Sequence, residues 1–264
     1  MEAITNNLKI ALLIDAENIS PTYTKTIFDE LSKYGTATLK KIYGDWTIQQ
    51  MVSWKEILSE HALQPTQQFQ NTSGKNSSDS ALIIDAMDIL YTKSVDAFCI
   101  VSSDSDFTRL ITRLREDGKY VIGMGEKKAA RSLVNVCDKF IYLDVLTNEE
   151  GEEPSATKGE TKQPFLKAVT KGRNNHRQKR SALEPDKVEA LAKIVDELRG
   201  DDEDAIFSEV CNRMIKLFPD FDSRNYGYQK LSDLVAEGSN RFEIRKEQIK
   251  GNKNAYILFI KNRH

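Results

Sequence analysis

The sequence predicts an α/β fold in which a Rossmann-like, mostly parallel sheet is flanked by helices, with a small winged-helix domain after it. Strand and helix patterns alternate regularly through residues 1–148, and such alternation is typical of a parallel sheet with helices on both faces. The first strand, Lys9–Asp15, is a nearly continuous apolar run, as expected for a strand buried on both faces. After residue 181 the pattern changes to three helices followed by two strands.

The elements of the first domain follow from local patterns. Strands are predicted at Lys9–Asp15, Ala37–Tyr43, Leu63–Phe69, Ala97–Val101, Tyr120–Gly123 and Phe140–Leu143. The first helix begins with Ser20 as N-cap and Pro21 as its first residue, and Gly35 ends it. The remaining helices are predicted at Ile48–Leu58, Ser78–Tyr91, Asp106–Arg115 and Ala129–Val136.

The last part of the chain has the winged-helix order. Amphipathic patterns predict helices at Pro185–Leu198, Ile206–Leu217 and Tyr226–Ala236, and strands at Phe242–Arg245 and Ala255–Ile260. Between the two parts, the polar stretch 149–181 lacks apolar periodicity and is predicted to be a flexible linker. The expected division is therefore 1–148, 149–181 and 182–264.

Composition narrows the function classes. The chain has 264 residues, with 38 Lys+Arg against 40 Asp+Glu and a net charge of −2. This near-neutral balance argues against tight, indiscriminate nucleic-acid binding, but the charge is uneven: −3 in residues 1–148, +3 in 149–181 and −2 in 182–264. Cys99, Cys137 and Cys211 lie in apolar surroundings without metal-type spacing, which indicates reduced thiols in a cytoplasmic protein. No apolar run is long enough for a membrane span, and no secretion signal is predicted.

Four acidic residues are predicted to meet at one edge of the sheet. Asp15 ends the first strand, Asp104 and Asp106 follow the AFCIV strand, and Asp79 begins the helix leading into that strand. Carboxylates gathered in this way repel each other unless a cation neutralises them, and Mg²⁺ or Mn²⁺ prefers oxygen ligands. With no His or Cys nearby, zinc is disfavoured. Such an ion activates water and stabilises charge on phosphorus, so the pattern points to phosphodiester hydrolysis.

Simpler roles remain open for these residues. Asp79 and Asp106 are also suited to be helix N-caps, and Asp15 to be a turn residue. Asp85 and Asp88, in the middle of a helix, are expected to be solvated. The SGKNSS segment lacks the glycine spacing of a phosphate-binding loop. A phospho-aspartate phosphatase is also disfavoured, because Glu17 stands where that class has its second aspartate.

The first domain also resembles a known family. The segments ALLIDAEN, KNSSDSALIIDAMD and VSSDSDFTRLITRLREDGKYVIGMG resemble the NYN domain in its LabA-like branch, a relative of the PIN nucleases. The resemblance implies a PIN-like sheet, ribonuclease activity and Asp15, Asp79 and Asp104 as metal ligands. Asp106 is then a fourth acid, and the supporting residues are Asn18 for the first aspartate and Ser102 for the loop. This chain has Ser103 where the family commonly has Gly.

The carboxy-terminal part resembles a second family. FPDFDSRNYGYQKLSDLVAE, followed by FEIRKE and AYILFI, is similar to the OST-HTH/LOTUS domain, which implies binding of RNA or, in some members, of a helicase partner. Basic and aromatic side chains together suit RNA, because they pair with phosphates and stack on bases. The residues expected to contact RNA are Lys75 in the first domain, Arg173, Arg177, Lys179 and Arg180 in the linker, and Arg224, Tyr228, Lys230, Lys250 and Lys253 as exposed positions of the last domain.

These features lead to one main hypothesis and two alternatives. The main hypothesis is a Mg²⁺- or Mn²⁺-dependent ribonuclease whose carboxy-terminal module binds RNA. The alternatives are a non-catalytic RNA-binding adaptor and a scaffold that docks a protein partner.

Overall fold

The computed structural model describes residues 7–69, 77–147, 180–200, 204–248 and 256–263. Within these ranges the chain forms an amino-terminal α/β domain and a carboxy-terminal domain of helices and a small sheet, which confirms the predicted fold class. The predicted linker lies outside the described residues except for Arg180 and Ser181. Among the helices that are described, none is both long and apolar enough to cross a membrane.

The amino-terminal domain is built on six strands. They are β1 Leu8–Asp15, β2 Gly35–Gly44, β3 Gln64–Gln67, β4 Ala97–Val101, β5 Tyr120–Gly125 and β6 Lys139–Tyr142. All neighbouring pairs are parallel, in the spatial order β3-β2-β1-β4-β5-β6. The order reverses between β1 and β4, and ligands of open α/β sheets bind beyond the carboxyl ends of the strands at such a reversal. The crevice next to Asp15 is therefore where a site is expected.

Helices cover both faces of this sheet. In chain order they are α1 Thr24–Leu31, α2 Trp54–Glu60, α3 Ser77–Thr92, α4 Thr108–Glu116, α5 Arg131–Asn135 and α6 Leu143–Thr147. The apolar residues of α3, α4 and α5 form one core with Leu13 and Phe98, and those of α1, α2 and α6 form another with Ile14 and Val101. Ile10 to Ile14 are fully buried, which explains the uninterrupted apolar sequence of β1.

Two helices of this domain differ from the prediction by more than two residues at one end. Ser20 caps a short 3₁₀ turn at Pro21–Tyr23, and α1 then ends at Leu31. Gly35 does not end the helix but opens β2, where a Cβ atom would lie 2.1 Å from the Leu8 carbonyl oxygen. The close approach of two backbones therefore explains the glycine. The predicted Ile48–Leu58 helix is divided into a 3₁₀ segment at Gln49–Ser53 and the α-helix α2.

In its described residues, the carboxy-terminal domain contains three α-helices and a three-stranded antiparallel sheet. The elements are α7 Pro185–Leu198, β7 Ala205–Ile206, α8 Phe207–Leu217, α9 Leu231–Gly238, β8 Phe242–Gln248 and β9 Tyr256–Asn262. The predicted start of the third helix at Tyr226 is wrong, because Gly227 has a φ of 77° and interrupts the helical path. The strand β7 and the helix α6 were not predicted, since each is too short to show a period.

An acidic centre at the carboxyl edge of the sheet

Asp15 is the organising residue of the crevice beyond β1. Its side chain is 1% exposed, and its carboxylate accepts four hydrogen bonds. Two come from the backbone N–H groups of Glu17 and Asn18, one from the Asn18 side-chain amide at 2.7 Å, and one from the Ser102 hydroxyl at 2.9 Å. Burial raises the pKa of Asp15, although these hydrogen bonds act in the opposite direction. Asn18 and Ser102 therefore hold this carboxylate in one orientation.

The loop after β4 brings the next acidic residues to the same edge. The Ser102 hydroxyl donates a hydrogen bond to Asp15 and accepts one from the Asp104 N–H at 3.1 Å. These two hydrogen bonds join the ends of β1 and β4. The Asp104 carboxylate accepts from the Asp106 N–H at 2.9 Å and caps the 3₁₀ turn Ser105–Phe107. The cap of this turn is thus Asp104, and the expectation that Asp106 is the N-cap is wrong.

Ser103 has an ordinary structural role in this loop. Its hydroxyl accepts a hydrogen bond from the Glu126 N–H at 2.9 Å, just after β5. A Cβ atom on Gly125 would lie 2.8 Å from the Ser102 carbonyl oxygen, so the end of β5 passes very close to the loop. The glycine needed for this approach is therefore in β5, and Ser103 ties the loop to it.

Asp79 completes the cluster from the first turn of α3. One carboxylate oxygen of each of Asp79, Asp104 and Asp106 lies within 4.8 Å of the others, and Asp15 is not part of that group. Burial and repulsion from the neighbouring carboxylates, led by Asp15 and Asp104, raise the pKa of Asp79 to about 6. Asp79 is a first-turn residue of α3, which begins at Ser77, and does not itself precede the helix as a cap.

Another carboxylate, that of Asp45, lies at the end of β2 and was not predicted from the sequence. Asp45 is 5% exposed, and its carboxylate accepts from the Thr47 N–H at 3.0 Å and the Gln67 amide at 2.9 Å. The Asp45 N–H donates to Glu17 at 3.0 Å, which connects this turn to the Asp15 loop. The rule that located Asp15 and Asp104, an aspartate just after a strand, would also have found Asp45.

Asp85 and Asp88, expected to be solvated, differ from each other. Asp88 is exposed. Asp85 is partly buried and accepts hydrogen bonds from Lys41 at 2.7 Å and from the Tyr43 hydroxyl at 2.9 Å. The expectation was wrong for Asp85, because β2 presents two donors to that turn of α3.

The predicted RNA contacts that the structure describes are only partly exposed. Lys230 is exposed, and Arg180 is exposed and pairs with Glu237. Tyr228 is only 6% exposed, with the Arg180 guanidinium 4.9 Å from its ring centre, so its predicted exposure is wrong. Arg224 is also not a free surface cation, because it is paired with Asp222 and Glu30. The other predicted contacts lie outside the described residues: Lys75, Arg173, Arg177, Lys179, Lys250 and Lys253.

Comparison with known proteins gives two domain matches. Residues 9–144 match the NYN domain family, and residues 187–253 match the OST-HTH/LOTUS domain. An uncharacterized protein of Methanocaldococcus jannaschii is 28% identical over 140 residues, which are 51% of this chain and 55% of that protein. The chain therefore spans little more than half the length of this curated relative.

Two solved structures are distantly similar. A protein of unknown function from Vibrio parahaemolyticus has a TM-score of 0.43 and 21% identity, over 54% of this chain and 96% of that one. An uncharacterized protein of Nitrosomonas europaea has a TM-score of 0.28 and 27% identity, over 41% of this chain and 92% of that one.

Proposed function

The chain belongs to the NYN domain family and carries an OST-HTH/LOTUS domain after its NYN domain, and from this premise we propose that it is a metal-dependent ribonuclease. The NYN domain supports a nuclease of the PIN-like superfamily, and the OST-HTH/LOTUS domain supports RNA binding. The observation that carries the proposal is the convergence of Asp79, Asp104 and Asp106 at the carboxyl edge of the sheet, beside the buried Asp15.

The residues of this centre suit a hard divalent cation. All the donors are carboxylate oxygens, which Mg²⁺ and Mn²⁺ prefer. Burial and, after it, repulsion from the neighbouring carboxylates raise the pKa of Asp79, and a bound cation would relieve that repulsion. We assign Asp79, Asp104 and Asp106 as the residues that would hold the ion. When bound, it supplies an activated water and neutralises negative charge on the phosphate.

Asp15 has a different role from the other three acids in this proposal. Its oxygens already accept hydrogen bonds from Asn18 and Ser102, and it raises the pKa of Asp79 through its charge. Asp15 therefore adds negative charge at a fixed position and orients the Asp104 loop through the shared Ser102 hydroxyl. Buried partners of this kind typically fix the orientation of metal ligands.

The proposal is tested by a cleavage assay on mixed RNA and DNA oligonucleotides, with and without Mn²⁺. The informative variant is Asp104→Asn, since asparagine is as good a capping residue as aspartate and preserves the 3₁₀ turn. Asp88→Asn is a matched control, because Asp88 is exposed on α3 and away from the acidic cluster. We expect Mn²⁺-dependent RNA cleavage by the wild type and the control, and none by Asp104→Asn.

Three results would contradict the proposal. Equal cleavage by Asp104→Asn and wild type, from preparations free of contaminating nuclease, would exclude the acidic centre as the site of cleavage. Binding of RNA by the wild type without cleavage of any substrate would favour a non-catalytic adaptor. Recovery of a protein partner without RNA would favour a docking scaffold.

A further inference from the structure

Among the described residues, the hydrogen bonds and ion pairs between the carboxy-terminal domain and the NYN domain come from the segment Pro219 to Arg224, which we call the strap. β6 is the edge strand of the six-stranded sheet, and its Phe140 N–H donates to the Pro219 carbonyl oxygen at 3.0 Å. An edge strand left open presents unpaired backbone groups to solvent or to other chains. Here the strap covers part of that edge, and Phe221 in its middle is 1% exposed.

Ionic contacts fix the two ends of the strap. At one end, the Asp220 carboxylate contacts Arg131 at 3.0 Å and the Tyr142 hydroxyl at 3.2 Å, both from the NYN domain. At the other end, Arg224 makes two hydrogen bonds to Glu30 of α1, at 2.6 and 3.2 Å. A guanidinium that pairs with a carboxylate through two hydrogen bonds gives geometric specificity as well as attraction.

Each charged residue of the strap lies close to an opposite charge of the NYN domain: Asp220 to Arg131, Asp222 to Lys139 and Arg224 to Glu30. Lys139 of β6 is 7% exposed and lies 3.4 Å from the Phe221 carbonyl oxygen and 3.8 Å from Asp222. Asp222 in turn accepts two hydrogen bonds from the Arg224 guanidinium. Complementary charges in this order select one register of the strap against β6, since a shifted register would bring like charges together.

Resting on the proposed function, we infer that the strap holds the RNA-binding domain in one fixed position on the nuclease domain, so that the two bind a single RNA as one rigid surface. The carboxy-terminal domain is then a docked part of the enzyme and not a module that moves freely on its linker. A fixed arrangement strengthens the binding of an RNA long enough to reach both domains, because the second contact needs no further ordering of the protein.

The docking is tested in the full-length chain by amide hydrogen exchange of Phe140, whose N–H is protected by the strap. Glu30→Arg places a cation opposite Arg224, and Arg131→Glu places a carboxylate opposite Asp220. The second variant keeps the test valid if the first fails to fold, since the Arg131 side chain is 60% exposed. Glu197→Arg is the matched control, because Glu197 pairs with Arg213 inside the carboxy-terminal domain and both are half exposed.

We expect the Phe140 amide to be protected in the wild type and the control and to exchange about tenfold faster or more in the two interface variants. Amides of the central strand β1 should be unchanged, which shows that the NYN domain itself remains folded. An unprotected Phe140 amide in the wild type, or equal protection in all four proteins, would overturn the docking.

The consequence for RNA is tested by binding in EDTA, so that no cleavage is required. One single-strand site covers about 4–16 nucleotides, so oligouridines of about 8 and about 30 nucleotides separate one-domain from two-domain binding. We expect Glu30→Arg to weaken binding of the long RNA about threefold or more and to leave the short RNA unchanged. Because the substitution adds positive charge, simple electrostatics would instead strengthen binding of both RNAs.

The outcomes separate this inference from the proposed function. Loss of Phe140 protection with no change in the ratio of long to short RNA affinity would overturn the shared RNA surface. An absence of cleavage in the assay above would defeat the ribonuclease proposal and leave the exchange and binding results intact.

Discussion

One group of carboxylates lies in the NYN domain and another in the strap of the carboxy-terminal domain, and the charges that surround the two groups are opposite in sign. In the acidic centre, the groups that raise the pKa of Asp79 besides burial are four other carboxylates. In the strap, burial raises the pKa of Asp222, but Arg224 and Lys139 outweigh it and lower that pKa to about 2. The comparison teaches that burial alone does not identify a metal site. A carboxylate that is surrounded by other carboxylates is neutralised best by a bound cation, whereas one that is paired with Arg and Lys stabilises the folded structure.

The largest expected effect comes from removing one acid of the centre. We predict that Asp79→Asn lowers Mn²⁺ affinity and RNA cleavage by more than about 100-fold, since even the partners of metal ligands typically contribute about 10–100-fold. The metal-free protein should nevertheless be no less stable than the wild type, because the substitution removes repulsion. Calorimetric Mn²⁺ titration and thermal unfolding in EDTA measure both. A less stable protein in EDTA would show that Asp79 is held by attraction and contradict the comparison.

The same type of substitution in the strap should have the opposite effect on the stability of the fold. We predict that Asp222→Asn destabilises the fold by about 2–3 kcal/mol, because it leaves Arg224 and Lys139 with one anion fewer in a partly buried site. Cleavage of a short RNA per folded molecule should remain unchanged. Urea unfolding of both variants and the wild type tests this, with exposed Asp186→Asn on α7 as control. A stability change within about 0.5 kcal/mol, the usual range for a surface substitution, would contradict it.

A third prediction concerns the hydroxyl that joins Asp15 to the Asp104 loop. Ser102→Ala removes the 2.9 Å bond to Asp15 and the acceptor for the Asp104 N–H. We expect Mn²⁺ affinity and cleavage to fall about 10-fold, which is typical of a residue that orients metal ligands. Ser105→Ala is the control, because Ser105 is exposed in the same loop. Equal effects of the two substitutions would mean that the hydrogen bonds of Ser102 have no specific role and that Ser102 does not position the acids.

The smallest expected effect is a pH dependence of stability without metal. The pKa of Asp79 is about 6 in the folded protein, above the ordinary unfolded value of about 3.9, so the folded state binds the proton more tightly. Protonation of Asp79 therefore stabilises the folded state by about 1–2 kcal/mol. This stabilisation is fully present below about pH 4 and is lost as pH rises through 6. Asp222 acts in the reverse sense, since its stabilising effect is present above about pH 4 and lost as pH falls toward 2.

This pH dependence is measured by urea unfolding in EDTA between pH 5 and 7. The free energy of unfolding of the wild type should rise as pH falls from 7 to 5, and this rise should be smaller in Asp79→Asn. Adding Mn²⁺ should abolish the rise, because the ion competes with the proton for the same carboxylates. A wild-type curve identical to that of Asp79→Asn would contradict the raised pKa.

Much of the acidic centre could be predicted from the sequence. A continuous apolar run identified β1 as a buried strand, and the strand β4 was predicted with its observed bounds, Ala97–Val101. Once both strands belong to one parallel sheet, the aspartates that follow them must lie at one edge. Asp45 escaped only because the same rule was not applied to β2.

The carboxy-terminal domain shows where sequence reasoning stops. Arg224 and Tyr228 have the residue types of an RNA surface, and both were expected to be exposed. Tyr228 instead packs in the core of its own domain, and Arg224 pairs with a residue of the other domain. Composition cannot tell which face of a domain docks onto its neighbour, because a buried ion pair and a solvated cation have the same sequence. The partner of Arg224 in the other domain is Glu30, which is 194 positions away, and no local pattern links them.

The sequence by itself therefore determined most of the helices and strands, the parallel sheet and the edge at which the acids gather, since these depend on local periodicity and on the direction of the strands. Only the tertiary structure decided which acids are close enough to share a cation and which are neutralised by Arg and Lys. That division depends on distances of a few ångströms between residues far apart in the chain, which is the range over which burial and charge set a pKa.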